Sequence, residues 1–448
     1  VVLGEWLMPG ESAPVYPDWF TSSVKAIYDP AKQGMTNYDV IEAYVEDFTN
    51  WNYVKARGVA TISQHKFIIT ECILKGLGIV EDIQEPYSNL TVRIIGITDN
   101  QEVLITDYVN GQHQIINTIT EDGIYTIEDR HHFVGFGCNF VGTCNITIEQ
   151  LPTSILKDLS GNGNHAYLYG GKGKLNSGMG LYKVDFTSWR KSSVQTEVKP
   201  DVVKVTPNTS NYLFIQYANS VEISSYKIKV IGLGDNVLKY QYATENGRKE
   251  INIVEGENEL PTSIKVSNDY QIGYRLTPGT SVFTITQIPD YPDQLCYDGK
   301  MYAVCYGFPI LTDYTVMAER TWFEKEEYSA FISNSLGGME DPSNGAFSVE
   351  LKSLNSFTTI SFGSITSIGI PEKGITYQTK QSYNGNSINV GTKESNDILI
   401  LGGRYFYKND NAAGNTWTGC HGTIIVADRS FTEEEINWIK ENIYNIKI

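Results

Sequence analysis

The sequence predicts an all-β protein: a discontinuous β-sandwich interrupted by two small, mutually similar β-sandwich modules and followed by a C-terminal helix. Three observations predict it. The 448 residues include 29 Tyr and 40 Gly and are 19% charged, the balance of a folded β protein rather than a disordered chain. One segment repeats another at a constant offset, with apolar and polar residues alternating at period two. A single stretch, close to the C-terminus, carries the signals of a helix start.

Taken in chain order, the segment 1–19 is aromatic and proline-rich without periodicity (Trp6, Pro9, Pro14, Pro17, Trp19) and is expected to dock on another subunit. A sandwich body begins over 20–55. Residues 56–152 form the first module, and 198–289 repeat it. The register that joins them runs without a gap: Thr91–Asn100 (TVRIIGITDN) lies on Lys227–Asn236 (KIKVIGLGDN), Asn110-Gly111 on Asn246-Gly247, and Ile115 on Ile251. A closing echo matches Asn145–Pro152 with Phe283–Pro289. Lys227 and Lys229 point to one face of a strand while Ile228 and Val230 point to the other. The Asp-Asn and Asn-Gly pairs supply turn residues that tolerate positive φ. Each module is thus a small sandwich of about 100 residues.

The body continues over 153–197 and takes its main part from 290–448, where Asp313–Trp322, Ala346–Leu351, Thr358–Gly363, Ile398–Gly402 and Gly422–Ala427 read as short strands bounded by turn formers. The chain ends in a helix. Thr432-Glu433-Glu434-Glu435 is a capping box, Phe431 and Ile436 take the staple positions, and Ile436, Ile439 and Ile443 form an apolar stripe. Six cysteines in so long a chain are read as buried thiols, with Cys138–Cys144 and Cys296–Cys305 weighed as hairpin bridges.

Several of these pieces together resemble the laminin-G-like, concanavalin A-like lectin superfamily. They are the run Ile155–Ala166 (ILKDLSGNGNHA), the strand ending in Trp322, Tyr383-Asn384-Gly385-Asn386, Leu399–Gly403 (LILGG) and Val426–Ile436 (VADRSFTEEEI). With the opening Tyr28–Asn37 (YDPAKQGMTN), the arrangement is similar to virion proteins of gut bacteriophages, including crAss-like phages. What the resemblance implies is a concanavalin A-like, jelly-roll body in a head or tail fibre or appendage on the virion or extracellular surface. It further implies a homo-oligomer, a trimer favoured, in contact with other virion proteins and with host polysaccharide. The alternatives are a free-standing carbohydrate-binding protein and, less favoured, a glycoside hydrolase.

Chemistry is weighed against that frame. The acidic triplet that glucanases of this superfamily carry on one strand is missing; Glu324, Glu326 and Glu327 sit in an almost wholly charged stretch that reads as a solvated loop, so no residue is assigned a catalytic role. No cofactor is expected. Calcium is the metal considered, at the alternating oxygens of Asp158, Asn162 and Asn164, with Asn409-Asp410-Asn411 a weaker place. His131, His132, Cys138 and Cys144 lack the spacing of a zinc knuckle, and Gly170–Lys174 lacks the frame of a phosphate loop. For sugar, the chosen loop is Arg404–Trp417, with Tyr405, Tyr407 and Trp417 as flat faces and Asn409 and Asp410 as hydroxyl partners.

A net charge of −17 repels phosphate backbones and anionic bilayers, so nucleic acid is not an expected partner. No stretch reaches the ~20 apolar residues of a spanning helix, and no membrane insertion is expected.

Overall fold

The computed structural model describes residues 16–76, 78–81, 89–109, 112–128, 134–173, 176–191, 195–207, 213–217, 222–265, 272–324, 326, 329–334, 345–353, 356–369, 373–407, 412–414 and 416–445.

The body is two eight-stranded antiparallel sheets built from three separated stretches of chain. The first sheet runs in the order Gly178–Leu181, Asp290–Asp298, Thr418–Ala427, Thr315–Trp322, Lys373–Thr379, Ser382–Tyr383, Asn386–Ser387, with Val24–Tyr28 also pairing Thr418–Ala427. The second runs Ile155–Leu156, Ala166–Tyr169, Tyr302–Tyr306, Ile398–Leu401, Ala330–Ser333, Phe347–Ser353, Ser356–Ser361, Ser364–Ile368. Alternate residues make one core between them. Tyr28, Leu295, Tyr297, Val316, Trp322, Ile424 and Val426 from the first sheet meet Leu168, Ala303, Phe331, Phe347, Leu399 and Leu401 from the second. Strand Thr418–Ala427 is buried on both faces, which explains its continuous apolar run: Ile424 and Val426 face the core, while Ile425 and Ala427 lie under the C-terminal helix.

That helix, Glu433–Asn442, begins with the expected capping box: Glu435 N donates to Thr432 Oγ1 (3.3 Å), and Thr432 N donates to Glu435 Oε2 (2.9 Å). Its stripe of Ile436, Ile439 and Ile443 packs with Phe20 and Phe431. A six-residue helix, Asp18–Ser23, was not foreseen. It carries Trp19 onto Trp438, with ring centres 5.6 Å apart, and Tyr16 reaches the same indole at 6.4 Å. The described end of the segment 1–19 thus packs on its own chain; residues 1–15 lie outside the described residues.

The two modules are sandwiches of paired five-stranded sheets with the same topology. In the first module the sheets run Asn52–Tyr53, Gly78–Glu81, Val134–Cys138, Val103–Val109, Gln112–Ile119 and Gly58–Ile62, Lys66–Cys72, Gly142–Gln150, Leu90–Ile95, Gly123–Ile127. In the second they run Arg190–Lys191, Leu213–Tyr217, Ile272–Thr277, Val237–Thr244, Gly247–Ile253 and Gln195–Val198, Val202–Thr206, Phe283–Ile288, Tyr226–Ile231, Gly256–Leu260. Each has its own apolar core. Gly96 and Gly232 keep equivalent roles at φ +93° and +83°: a Cβ would lie 2.2 Å from Asn145 O in one and 2.8 Å from Val282 O in the other.

The boundaries at 56 and 198 require correction, because Phe48 and Trp51 are buried in the first module's core and Phe186 and Trp189 in the second's. These residues belong to a second repeated motif, Asp47-Phe48-Thr49-Asn50-Trp51 and Asp185-Phe186-Thr187-Ser188-Trp189. In both, the Asp side chain caps a 3₁₀ turn by accepting from the Thr amide. A buried glutamine then clasps the segment leading in. Gln150 Oε1 accepts from Glu46 N (2.9 Å), and Gln287 Oε1 accepts from Lys183 N (2.8 Å) while its Nε2 donates to Val184 O (2.9 Å).

The chain leaves the body and returns to it at one place for each module. Thr153 N donates to Ala43 O (2.8 Å) around the first, and Leu181 lies opposite Asp290 around the second. The first module also touches the outer face of the second body sheet, where the Arg93 guanidinium sits 4.5 Å from the Tyr306 ring centre and Tyr306 shares a hydroxyl contact of 2.8 Å with Tyr169. All six cysteines are free thiols. Among the described residues no helix is long and apolar enough to cross a membrane.

Candidate functional site

The loop chosen for sugar does not present its tryptophan. Trp417 is fully buried, its ring 5.4 Å from Tyr297, 5.6 Å from Trp322 and 4.9 Å from Phe331. This corrects its assignment as a sugar-stacking face: the residue precedes the central strand and its indole completes the sandwich core. Tyr405 and Tyr407 lie on a short strand, Tyr405–Tyr407, paired with Ala412–Gly414; their side chains, and Asn409 and Asp410 altogether, lie outside the described residues. So do His131 and His132.

The Asp158 run has another task. Asp158 Oδ1 accepts from Ile27 N (2.9 Å) and Ser160 N (2.8 Å), and Oδ2 accepts from Ser160 Oγ (2.9 Å) and Asn164 N (3.0 Å). Asn162 Nδ2 donates to Val24 O (2.9 Å) and Asn164 Nδ2 to Lys25 O (2.7 Å). The carboxylate lone pairs that would ligate calcium are thus spent on three backbone amides and the Ser160 hydroxyl, and the three residues form a latch that holds strand Val24–Tyr28. Among the described residues no group of three or more His, Cys, Asp or Glu side chains is placed to hold a metal.

The structure instead opens a cleft at the lateral edge of the sandwich, where edge strand Ser364–Ile368 of one sheet faces the terminal hairpin of the other. Asn384 (φ +47°) and Gly385 (φ +79°) form the two-residue turn of that hairpin, the left-handed pair an Asn-Gly dipeptide favours, and Tyr383 pairs with Asn386 across it. The turn is anchored where Asn384 Oδ1 accepts from Tyr377 N and Asn384 N donates to Tyr377 O, both at 2.9 Å. Asn389 N donates to Thr366 Oγ1 (2.9 Å), tying the two walls together.

The cleft measures about 540 Å³, within the size range of small-ligand pockets. Thr366, Ser367, Asn384, Asn386 and Ser387 line it with hydroxyls and amides, and among the described residues no lining residue is charged. Tyr383 is 4% exposed and forms the floor, its phenolic oxygen accepting from Arg320 Nη2 at 2.7 Å from inside the sandwich. Ile368 and Ile388 add an apolar flank that packs on the core. Such a surface can exchange hydrogen bonds with vicinal hydroxyls and cover a C–H face. The Asn-Gly hairpin was legible as one of the pieces carrying the family resemblance. Its partner wall was not, because the two edges meet only when both sheets are assembled.

A second cavity, about 340 Å³, lies on the outer face of the first sheet beside the C-terminal helix. Asp29, Glu319, Asp293, Lys32 and Tyr291 line it, Tyr291 at φ +51°. Burial, then the neighbouring Asp29 carboxylate, raise the Glu319 carboxyl above its ordinary pKa. Asp29 itself is held by Thr423 Oγ1 (2.7 Å) and by Lys32 N (2.9 Å).

No family model and no curated protein matches the chain. Among solved structures, it is similar to the N-terminal CBM22-1-CBM22-2 tandem domain from Paenibacillus barcinonensis Xyn10C, at 9% identity and a TM-score of 0.18 over 56% of this chain and 98% of that one. It is also similar to Trypanosoma rangeli sialidase in complex with 2,3-difluorosialic acid, at 10% identity and a TM-score of 0.24 over 93% and 91%. Overlaps this loose say nothing of what the chain binds, and its chemistry is read from its own residues.

Proposed function

We propose that the protein is a non-catalytic carbohydrate-binding adhesin that takes a neutral saccharide in the cleft between Ser364–Ile368 and the Asn384-Gly385 hairpin. The observation that carries this reading is the hydroxyl and amide lining, uncharged among the described residues, of a cleft of about 540 Å³ at the open edge of a sandwich. Short polar side chains on paired strands are pre-positioned, so little ordering entropy opposes a weak ligand. Calorimetry against a panel of neutral oligosaccharides tests it. One of them should bind, and Asn386→Ala combined with Ser387→Ala should weaken it by about tenfold, the worth of one or two net hydrogen bonds. Equal binding by wild type and variant sinks the assignment.

The finer reading is a virion appendage of the kind carried by gut bacteriophages, oligomeric and facing host polysaccharide. Its support is the resemblance of Tyr28–Asn37 and Ile155–Ala166, together with an overall charge that keeps the surface away from nucleic acid. Light scattering on the purified chain should give a stable trimer. Mass spectrometry of purified particles should find the chain there, and its absence from them removes the virion role while leaving the sugar site standing.

A further inference from the structure

Two thiols in the first body sheet stand directly opposite each other on neighbouring strands. Cys296, on Asp290–Asp298, pairs with Cys420, on Thr418–Ala427, in a register that continues through Leu295 with His421 and Tyr297 with Gly419. The same row extends to Gly178 on one side and to Thr321 on the other. Leu295 and Tyr297 face the sandwich core, so the row lies on the outer face of the sheet. Both cysteines are nonetheless fully buried there.

Register fixes their spacing. Residues directly opposite on antiparallel strands have Cα atoms about 4.5–5.5 Å apart, inside the window of roughly 4.4–6.8 Å that a disulfide spans without backbone movement. The thiols are already in contact. Cys420 Sγ donates to Gln294 Oε1 (2.9 Å), which turns its proton aside and leaves its lone pairs to accept from the Cys296 thiol. That hydrogen bond, and then burial, push the Cys296 thiol well above its ordinary range. Cys305, the hairpin partner that sequence spacing offers Cys296, belongs to the second sheet and points into the core, so the first sheet stands between them.

We propose that Cys296 and Cys420 form a disulfide when the chain folds in oxidising surroundings, the oxidant being a small-molecule disulfide such as oxidised glutathione. One cysteine thiolate attacks a sulfur of the oxidant and expels the first glutathione thiolate. The second cysteine thiolate then attacks the mixed disulfide at the protein sulfur, the Cys296–Cys420 bond forms, and the second glutathione leaves. The oxidant takes two electrons, and the two protons given up by the cysteines end on the two glutathione thiols. A buried, protonated thiol is a poor nucleophile, so the exchange belongs to the stage before the sheet closes over the pair. The bond ties the first strand of the body's main stretch to its last, across a loop of about 120 residues that the unfolded chain can then no longer open.

The test refolds the full chain in mixed reduced and oxidised glutathione, alkylates the remaining thiols in denaturant and maps the peptides without reduction. Cys296 and Cys420 should be recovered in one cross-linked peptide pair that dithiothreitol separates. The gain in Tm on oxidation should be smaller by on the order of a few °C in Cys420→Ala than in the wild type. Recovery of Cys296 and Cys420 as alkylated thiols overturns the proposal, and so does a map that joins Cys296 to Cys305 or an oxidation response equal in both proteins. Should the variant fail to fold, the wild-type peptide map decides.

Discussion

At the scale of single residues, the carboxyls show how placement decides role. Asp158 accepts four hydrogen bonds within its own fold, so it acts as a backbone splint. Asp158→Ala should cost about 2–4 kcal/mol in a denaturant titration, from orphaned buried amides, and excess chelator should leave wild-type stability unchanged. Glu149 behaves differently. It lies 3.8 Å from Arg93, yet burial outweighs the pull of Arg93 and Lys66 and raises its pKa to about 7. A raised folded-state pKa on an acid favours the fold fully below the unfolded value near 4.5, and that contribution disappears as pH climbs to about 7. Denaturant titrations across pH 4.5–7 should therefore record a loss of up to about 3 kcal/mol that Glu149→Gln flattens. A variant with the wild-type slope would show that the carboxyl is not desolvated there.

At the scale of elements, periodic and local signals carried through and distant pairings did not. The capping box at Thr432 needed only residues three apart, and it formed as read. Thr432→Ala should lower stability by about 1 kcal/mol in thermal unfolding, with the loss confined to the helix and the surface it covers. The Lys227–Ile231 alternation gave the right inward face because Ile228 and Val230 each report their own burial. Trp417 was misassigned because loop position and aromatic content look alike for a ligand face and a core plug. What separates them is the central strand beside it, which pairs with Asp290–Asp298 and Thr315–Trp322, both remote in sequence. The module starts were missed for a different reason. The repeated Asp-Phe-Thr-x-Trp motif is five residues long and lies before the first regular strand, where no period-two pattern draws notice to it.

At the scale of the whole molecule, the duplicated modules are self-sufficient. Each core is closed by residues of one continuous stretch, whereas the body core draws on all three of its stretches. Since Leu181 and Asp290 already lie opposite each other on paired strands, replacing 182–289 with a tight turn should leave a folded body. The body of that deletion variant should keep its saccharide affinity, and the excised segment should melt cooperatively by itself; a molten excised segment would show that its core depends on the rest. The pairing of Ala26 with Val426 sets a further condition during synthesis. One of the earliest described strands must wait for one of the last before the body can seal, while both modules can finish as soon as they emerge. A ribosome stalled short of residue 418 would therefore carry two folded modules on an open, sticky scaffold, so nascent chains of this protein should lean on holdase chaperones until translation ends.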